Sequence, residues 1–586
     1  MIDCEKCTDE NKCILHCEKS TYNIDFRKIG FLNNFYDELI EYIINFIGEK
    51  RIIELFEDYW DTEYNDENHP YYSIQSNSIV SLLKPYFNNE EYVNNLFDFL
   101  FKDRVIVFNH IFFPEHDGRD DFDYMKILSK LKRIWFNYCK FSTTYLELNN
   151  IEVFFQDCEF FDRYSISNSK LLTNESNVIY QMCIFNKDIY ISKMDNKENI
   201  IENTLFSDCE FKKKLEAEDI SFKKGIFNNT KYNEYIEISK IRFFNCIIGN
   251  DFILQGYKIG NLDLSETTFL GKTKIQYCEI EVESLFYNTK FEDLADFYRT
   301  KFNKINFERT DFKNIAVFSE VEFHCDVDFK YTKFLGTSIF RDTVIEGKLN
   351  LRDTIFKEDA NFLDITSKSR KGYDEEKRDY MHIGELEDIK VSNRETARII
   401  KNFFDSSNNI IEANRFYKLE MKQREKELDF KKSFSEWITF KIHSISSNHS
   451  QDWLLAIFWI ISITFLYSYS NFLLNNNKTE LVLLPFIISF LVVFFNILEV
   501  SIYSNIKNIY KIVSVCLLYF IYGFITTDFY LTNFSNNINP FSIIIDGNDD
   551  NKVAKQIDFV TLIYKIIIAY LIYQLIVSVR QNTRRN

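Results

Sequence analysis

The chain has 586 residues and a formal net charge of −17, too long for one hydrophobic core, so three or four structural units are expected. Its 14 glycines and 5 prolines, set against 60 phenylalanines and 35 tyrosines, exclude a collagen-like or low-complexity chain and argue against a Gly-rich phosphate-binding enzyme. The acidic balance gives no support for a broad nucleic-acid-binding surface, and the mean hydropathy of −0.24 averages unlike parts.

Residues 1–20 contain CEKCTDENKCILHC, with Cys4, Cys7, Cys13 and Cys17, and His16 beside the last. A CxxC pair followed by two more thiolates can close a tetrahedral structural zinc site. His16 could replace Cys17 as the fourth ligand. A reducing cytoplasm disfavours disulfides there; the alternative is a flexible tail of reduced cysteines. The opening MIDCEKC has neither the basic start nor the apolar core of a signal peptide, so the N-terminal part is expected to remain cytoplasmic. Residues 21–133 hold apolar residues at helical spacing, as in FYDELIEYIINFIGEKRIIELFEDYW and NNEEYVNNLFDFLF, which predicts an α-rich domain. Such a domain can cap the open edge of whatever sheet follows.

Residues 134–366 follow neither the helical nor the simple strand period. Large apolar residues recur at Phe286, Phe291, Phe297, Phe302, Phe307, Phe312, Phe318, Phe323, Phe329, Phe334 and Phe340 and on to Phe362. The steps are five or six and mostly alternate. The ladder runs back through Ile280, Ile275, Phe269 and Leu264 to Phe206, with weaker copies at CKF 139–141, CEF 158–160 and CIF 183–185. A small or β-branched residue precedes most ladder residues by two positions, as Thr289, Ala295, Thr300, Thr310, Ala316 and Thr332 do. That spacing puts both on one face of an extended segment. A short fixed repeat of this kind marks a solenoid, each coil burying its face against the next. Ring stacking along the axis would account for the phenylalanines. Cys139, Cys158, Cys183, Cys209, Cys246 and Cys278 fall in the small slot and read as core residues; Cys325 falls outside it, at a corner.

Runs such as TKFLGTSIF and TIFKEDANF resemble the pentapeptide-repeat family in its eleven-residue double-unit form. The resemblance implies a right-handed quadrilateral β-helix with one repeat per side. About thirty ladder positions from Phe206 to Phe362 would then give about 7.5 coils. At about 4.8 Å between stacked strands, that stretch is about 36 Å long.

Residues 367–391 are charged and aperiodic, which predicts a linker. Residues 392–450 read as a helical neck, opened by the capping-box pattern Ser392 to Glu395. Residues 451–580 are strongly apolar. Segments 453–474, 481–503, 509–531 and 559–579 each reach the length of a membrane span, predicting a four-helix transmembrane domain followed by a basic tail, 581–586. Lys426, Lys431, Lys432 and Lys441 precede the first span, Lys507 and Lys511 separate the second from the third, and Arg580, Arg584 and Arg585 follow the fourth. The positive-inside rule then places both termini in the cytoplasm. Lys565 lies about two turns into the fourth span. It is either a functional intramembrane charge or a side chain that snorkels outward.

The order of parts resembles bacterial pentapeptide-repeat proteins with a helical neck and a channel-like membrane tail, on ANRFYKLEM in the neck and YQLIVSVRQNTRR at the end. In channel-like members the last two spans flank a pore loop. Here the loop 532–558 contains NPFSIIIDGNDDNKVAKQID and no GYGD-like filter, so potassium selectivity has no support. No HExxH, GxSxG or Walker motif is present, and no enzyme is expected. The leading expectation is a scaffold anchored in the bacterial inner membrane, with the lipid bilayer, an unknown cytoplasmic protein and other copies of itself as partners. An oligomeric channel or transporter with the solenoid as sensor is the alternative. DNA mimicry, which the resemblance also raises, sits poorly with membrane anchoring, and no nucleic-acid partner is expected.

Overall fold

In the computed structural model the described residues are 13–17, 31–48, 51–52, 101, 104–115, 123–149, 151–166, 169–173, 175–191, 200–228, 236–368, 371–374, 379–382, 387–476, 504–540 and 559–583. They fall into two units, Met1–Ser392 and Asn393–Asn586.

In the first unit the five-or-six period becomes a stack of short parallel strands. Lys290–Phe291 pairs with Asp311–Phe312, which pairs with Lys333–Phe334, which pairs with Ile355–Phe356. Repetition of this pattern builds a β-solenoid of about ten turns. The ladder rings are buried, with Phe356 half-buried, and form columns along it. Phe286, Phe307 and Phe329 make one, Phe291, Phe312, Phe334 and Phe356 a second, and Phe297, Phe318, Phe340 and Phe362 a third. Phe302 and Phe323 stack in a fourth, at 5.5 Å. Within a column the rings are nearly parallel, as Phe312 and Phe334 are, 4.9 Å apart at 2°. Between columns they meet edge-on, as Phe318 and Phe329 do at 79°. Both geometries match the ring quadrupole.

The small slot has a second role. Thr310 Oγ1 donates to the carbonyl of Phe286 (2.7 Å), Thr332 to Phe307 (2.6 Å), Thr343 to Phe318 (2.9 Å) and Thr354 to Phe329 (2.8 Å). The cysteines act alike: Cys139 Sγ donates to Phe108 O at 3.1 Å and Cys278 Sγ to Leu254 O at 3.4 Å. These six thiols are core residues, as their slot predicted. Burial pushes Cys246 up to about 11 and Cys278 up to about 12, so they stay protonated donors.

The corners explain the scarcity of glycine. Asn245, Glu266, Asn288, Arg309, Tyr331 and Asp353 all adopt left-handed φ between 51° and 62°, and Tyr277, Arg299, Glu320, Asp342 and Asp364 do the same on another corner. That conformation costs an L-residue about 1–2 kcal/mol. The N–H groups so turned are used: Arg309 N donates to Lys330 O at 3.1 Å, and Asn288 N to Glu308 O at 3.2 Å.

Three boundaries differ from the sequence reading. The solenoid begins before residue 134, since Ile106–Asn109 pairs in register with Arg133–Asn137 and Phe112–Phe113 with Lys140–Phe141. A helix, Tyr124–Lys130, interrupts this first turn and hides its period. Residues 21–133 are therefore not uniformly α-rich. Their first described helix, α1 (Phe31–Ile47), packs Phe35 against Phe113 and Tyr124. Its Tyr42 hydroxyl donates to Val107 O and accepts from Asn109 N, satisfying backbone groups of the edge strand. At the other end, the stretch expected as linker holds an antiparallel pair, Lys371–Asp374 with Asp379–His382. Lys390–Val391 then pairs with Lys348–Leu349. Outside the ladder these short strands lack the repeat that made the solenoid readable.

The second unit is helical. The neck is a pair of helices, Arg394–Ser406 and Ile410–Glu427, joined by Phe404 stacked on Phe416 and by Arg398 bonded to Glu420 at 2.9 Å. The first cap is Asn393, whose Oδ1 accepts from Thr396 N, rather than Ser392. Phe434–Ser447 follows, then Trp453–Asn476, Ser504–Thr526, the short Thr532–Ile538, and Phe559–Thr583. Within them Trp453–Phe472 and Phe559–Gln581 are long and apolar enough to cross a membrane. The expected span 481–503 lies outside the described residues. The expected span 509–531 ends early, at Thr526, and its apolar stretch, Lys511–Thr526, is shorter. Thr527 turns left-handed there (φ 56°), and the Asp528 carboxylate accepts from Tyr522 OH (2.9 Å) and from Thr532 N (2.9 Å), side-chain bonds that compete with helix continuation. Lys511 Nζ meets Asp452 at 2.8 Å, and Gln451 bonds Gln581 at 2.9 Å. The starts of Trp453–Asn476 and Ser504–Thr526 and the end of Phe559–Thr583 thus lie at one end of the bundle.

Candidate functional site

The N-terminal cysteines come first. Cys13 and His16 are brought together in a single turn, with Sγ to Nδ1 at 2.9 Å. Cys17 Sγ instead donates to Ile14 O at 3.5 Å. Cys4 and Cys7 lie outside the described residues. Among the described residues no group of three or more His, Cys, Asp or Glu side chains converges on a metal position. The turn is docked: Leu15 and His16 are buried, and Leu15 O accepts from Phe112 N at 2.8 Å, on the solenoid's first turn.

The solenoid's outer faces carry charge in matched rungs. Lys304 meets Glu283 at 2.6 Å, Lys313 meets Glu292 at 2.7 Å, Arg299 meets Glu320 at 2.8 Å and Lys240 meets Glu216 at 3.0 Å, each pair joining neighbouring turns. A shallow recess of about 310 Å³ is lined by Lys240, Asn261, Leu262, Asp263, Glu283 and Leu285. Its charged groups are already paired, so it offers no reactive centre.

A denser polar cluster lies in the helical unit, between neck and tail. Helix Phe434–Ser447 ends in three consecutive left-handed residues, Asn448, His449 and Ser450, which fold His449 back over the helix. His443 Nδ1 then lies 3.2 Å from His449 Nδ1. His449 Nε2 lies 3.3 Å from Glu425 on the neck helix, and His443 Nε2 lies 3.1 Å from Ser450 Oγ. Ser447 Oγ donates to Gln574 Oε1 at 3.0 Å, and Ser450 Oγ lies 3.1 Å from the same oxygen; Gln574 belongs to the last helix. In the neutral chain His449 donates from Nε2 to Glu425, His443 from Nδ1 to His449, and Ser450 spends its single proton either on His443 Nε2 or on Gln574 Oε1, which also accepts from Ser447. Burial lowers the pKa of both histidines, and at His449 the neighbouring His443 adds to this while Glu425 opposes it. Burial works against the Glu425 carboxylate, but Lys441 and His449 beside it outweigh that and hold its pKa below the usual range. Two imidazolium rings cannot face each other through protonated Nδ1 atoms at this distance. The cluster can therefore hold or pass one proton but not two.

Deeper in the tail, Lys565 is turned inward rather than snorkelling. Its Nζ donates to Asn537 O (2.8 Å) and Asn539 O (2.6 Å), with Asn536 O at 3.4 Å. It thus caps the C-terminal end of Thr532–Ile538, where Tyr564 OH also donates to Asn537 O at 3.2 Å. Tyr564 beside it stacks on Tyr467 at 3.7 Å and donates to Thr464 at 3.0 Å. Neither cluster shows in sequence as a motif. The sequence singles out Lys565 as a charge within an apolar segment but not its partners, and His443 and His449, six apart across a helix end, have no meaning as a pair without the left-handed turn.

Residues 286–333 match the family model for pentapeptide repeats, in nine copies. No curated protein and no solved structure matches the chain.

Proposed function

We propose that this pentapeptide-repeat protein is a membrane-anchored scaffold, its solenoid presenting a cytoplasmic surface to a protein partner. The observation that carries the reading is the union, in one chain, of a β-solenoid of about ten turns with two helices long and apolar enough to cross a membrane. We read the solenoid as right-handed and quadrilateral, on the four columns of rings. We read the tail as four spans in a bacterial inner membrane with both ends cytoplasmic. Support comes from the meeting of Asp452, Lys511 and Gln581 at one end of the bundle and from the basic residues there. The matched rungs of charge favour a protein partner over mimicry of an evenly acidic polymer such as DNA. Cys4, Cys7, Cys13 and Cys17, with His16 in reserve, are proposed to hold a structural zinc ion; Cys13 and His16 already adjoin.

The test is proximity labelling from the solenoid in intact cells, with topology reporters fused at both ends. Recovery of the same protein with wild-type chain, and its loss when exposed rungs such as Lys304 and Lys313 are reversed to Glu, is the expected result. Periplasmic reporters or an absence of any solenoid-dependent partner would overturn it. Stoichiometric zinc in the purified chain, lost on replacing Cys4 and Cys7, tests the metal.

A channel-like activity is the second reading. It is favoured by the short helix Thr532–Ile538, which lies between Ser504–Thr526 and Phe559–Thr583 and is held by Lys565 from the last helix. Ion flux through reconstituted vesicles that changes in Lys565→Met would support it; no flux under any voltage or pH would remove it.

A further inference from the structure

Helix Phe434–Ser447 is amphipathic in an inverted sense. Several of its polar side chains are engaged by the rest of the unit, although Ser435, Glu436 and Thr439 stay exposed. Glu436 receives Arg424 of the neck at 2.8 Å, Lys441 pairs with Glu425, His443 joins the histidine cluster, and Ser447 reaches Gln574. The opposite face carries Phe434, Ile438, Ile442 and Ile445, at steps of four, four and three, so they form one stripe. Their exposures are 54%, 38%, 47% and 45%. A water-facing helix presents charge outward and buries its apolar stripe; here the protein's own contacts have taken up several of the polar side chains instead.

Two further observations say what covers the stripe. The helix lies at the bundle end where the tail begins: Trp459 of the first apolar helix donates from Nε1 to Ile445 O at 2.9 Å, and Trp453, 41% exposed, opens that helix five residues after Asn448. The stripe therefore continues toward the apolar surface of the tail. Lys431 and Lys432, both exposed, stand just before the helix. Phe430, also exposed, packs its ring against Phe434 and Trp437. Exposed apolar rings and branched chains beside lysines fit the boundary between acyl chains and anionic headgroups.

We infer that helix Phe434–Ser447 lies in the membrane interface, its Phe434–Ile445 stripe buried among lipid acyl chains and Lys431 and Lys432 set against anionic headgroups. This rests on the membrane reading of the tail. The helix then fixes the depth at which neck and tail meet, and it places the His443–His449 pair on the headgroup side of that boundary.

The test uses the full chain in phosphatidylcholine vesicles, with and without phosphatidylglycerol. A photoreactive benzophenone residue is placed in turn at Ile438, Ile442, Glu436 and Ile566; the last is exposed on the final helix and reports on the spanning reading alone. The expected result is lipid adducts at Ile438, Ile442 and Ile566 and none at Glu436, with higher yield at Ile438 when phosphatidylglycerol is present. Adducts to lipid at Ile566 but to protein at Ile442 would show a second copy or another protein on the stripe and overturn the inference while leaving the spans intact. Lipid at Ile566 with neither lipid nor protein adduct at Ile442 would overturn it equally. Equal yields in the two vesicle types would remove the role of Lys431 and Lys432. Absence of lipid at Ile566 would sink both readings together. In a second pair of chains the benzophenone stands at Ile445; the one that also carries Ile438→Glu and Ile442→Glu is expected to stay in the membrane fraction and to lose the lipid adduct that the other forms, and retention of that adduct counts against the inference.

Discussion

The solenoid and the helical tail bury polar groups by opposite strategies. In the solenoid a buried hydroxyl bonds a carbonyl 24 or 25 residues earlier, one turn down, as Thr310 and Thr332 do. In the tail the partners are remote: Tyr564 with Thr464, 100 residues away, Tyr467 with Thr561, 94 away, and Ser447 with Gln574, 127 away. The solenoid is thus a one-dimensional stack in which each turn depends on its neighbours. The tail is one tertiary assembly whose polar contacts cross between helices. Damage should stay local in the first and spread in the second.

The largest effect is expected from Phe318→Ala. Its ring stacks between Phe297 at 5.1 Å and Phe340 at 4.8 Å, and the loss should cost about 3–5 kcal/mol. Hydrogen exchange should rise in the turns around 297–340 and stay unchanged near Cys139. Uniform acceleration along the solenoid would break the one-dimensional picture. Lys565→Met comes next. It removes a charged donor from the carbonyls of Asn537 and Asn539, while Tyr564 OH still donates to Asn537 O; a hydrogen bond to a charged group is worth about 1.5–3 kcal/mol. A thermal shift in detergent, with exchange rising together in 453–476, 532–538 and 559–583, is the expected reading; a change confined to 532–538 would contradict a shared assembly.

Thr332→Val keeps the shape and removes the donor to Phe307 O. About 1 kcal/mol is expected, read as a denaturation midpoint shift, with Thr332→Ser restoring most of it. The smallest effect concerns pH. His443 and His449 titrate below the ordinary imidazole value of about 6.5 because burial disfavours the cation. As pH falls below that value the unfolded chain takes up protons before the folded one, so stability present above it is lost on acidification. Exchange over residues 441–452 should therefore accelerate, beyond the intrinsic rate change, between about pH 7.5 and about pH 5.5. His443→Gln should flatten that dependence, and a wild-type profile without it would remove the cluster's role as a proton site.

Several of these features were legible in the sequence for a physical reason. A ladder of Phe at steps of five and six can be satisfied only by a chain that turns a corner each step, so the solenoid followed. The Cys and Thr slots followed from the room a stacked ring leaves. What sequence reading treated as size alone proved also to be hydrogen bonding, because the acceptor carbonyl belongs to another turn. The early start at Ile106 stayed hidden because Tyr124–Lys130 splits the first turn. The early stop at Thr526 depends on the left-handed turn at Thr527 and on where the Asp528 carboxylate points.

The sequence alone determined the class of each part: a period fixes a solenoid, and strongly apolar runs of about 20 residues fix helices suited to lipid. These are properties of neighbouring residues, and spacing encodes them. Only the tertiary structure decided where the polar exceptions go. Lys565 turns inward because carbonyls from another helix end beside it. His443 and His449 meet because three left-handed residues reverse the chain, and Phe434–Ser447 exposes its apolar stripe because neck and last helix engage several of its polar side chains. Each outcome depends on partners remote in the chain or on a backbone turn that spacing does not record.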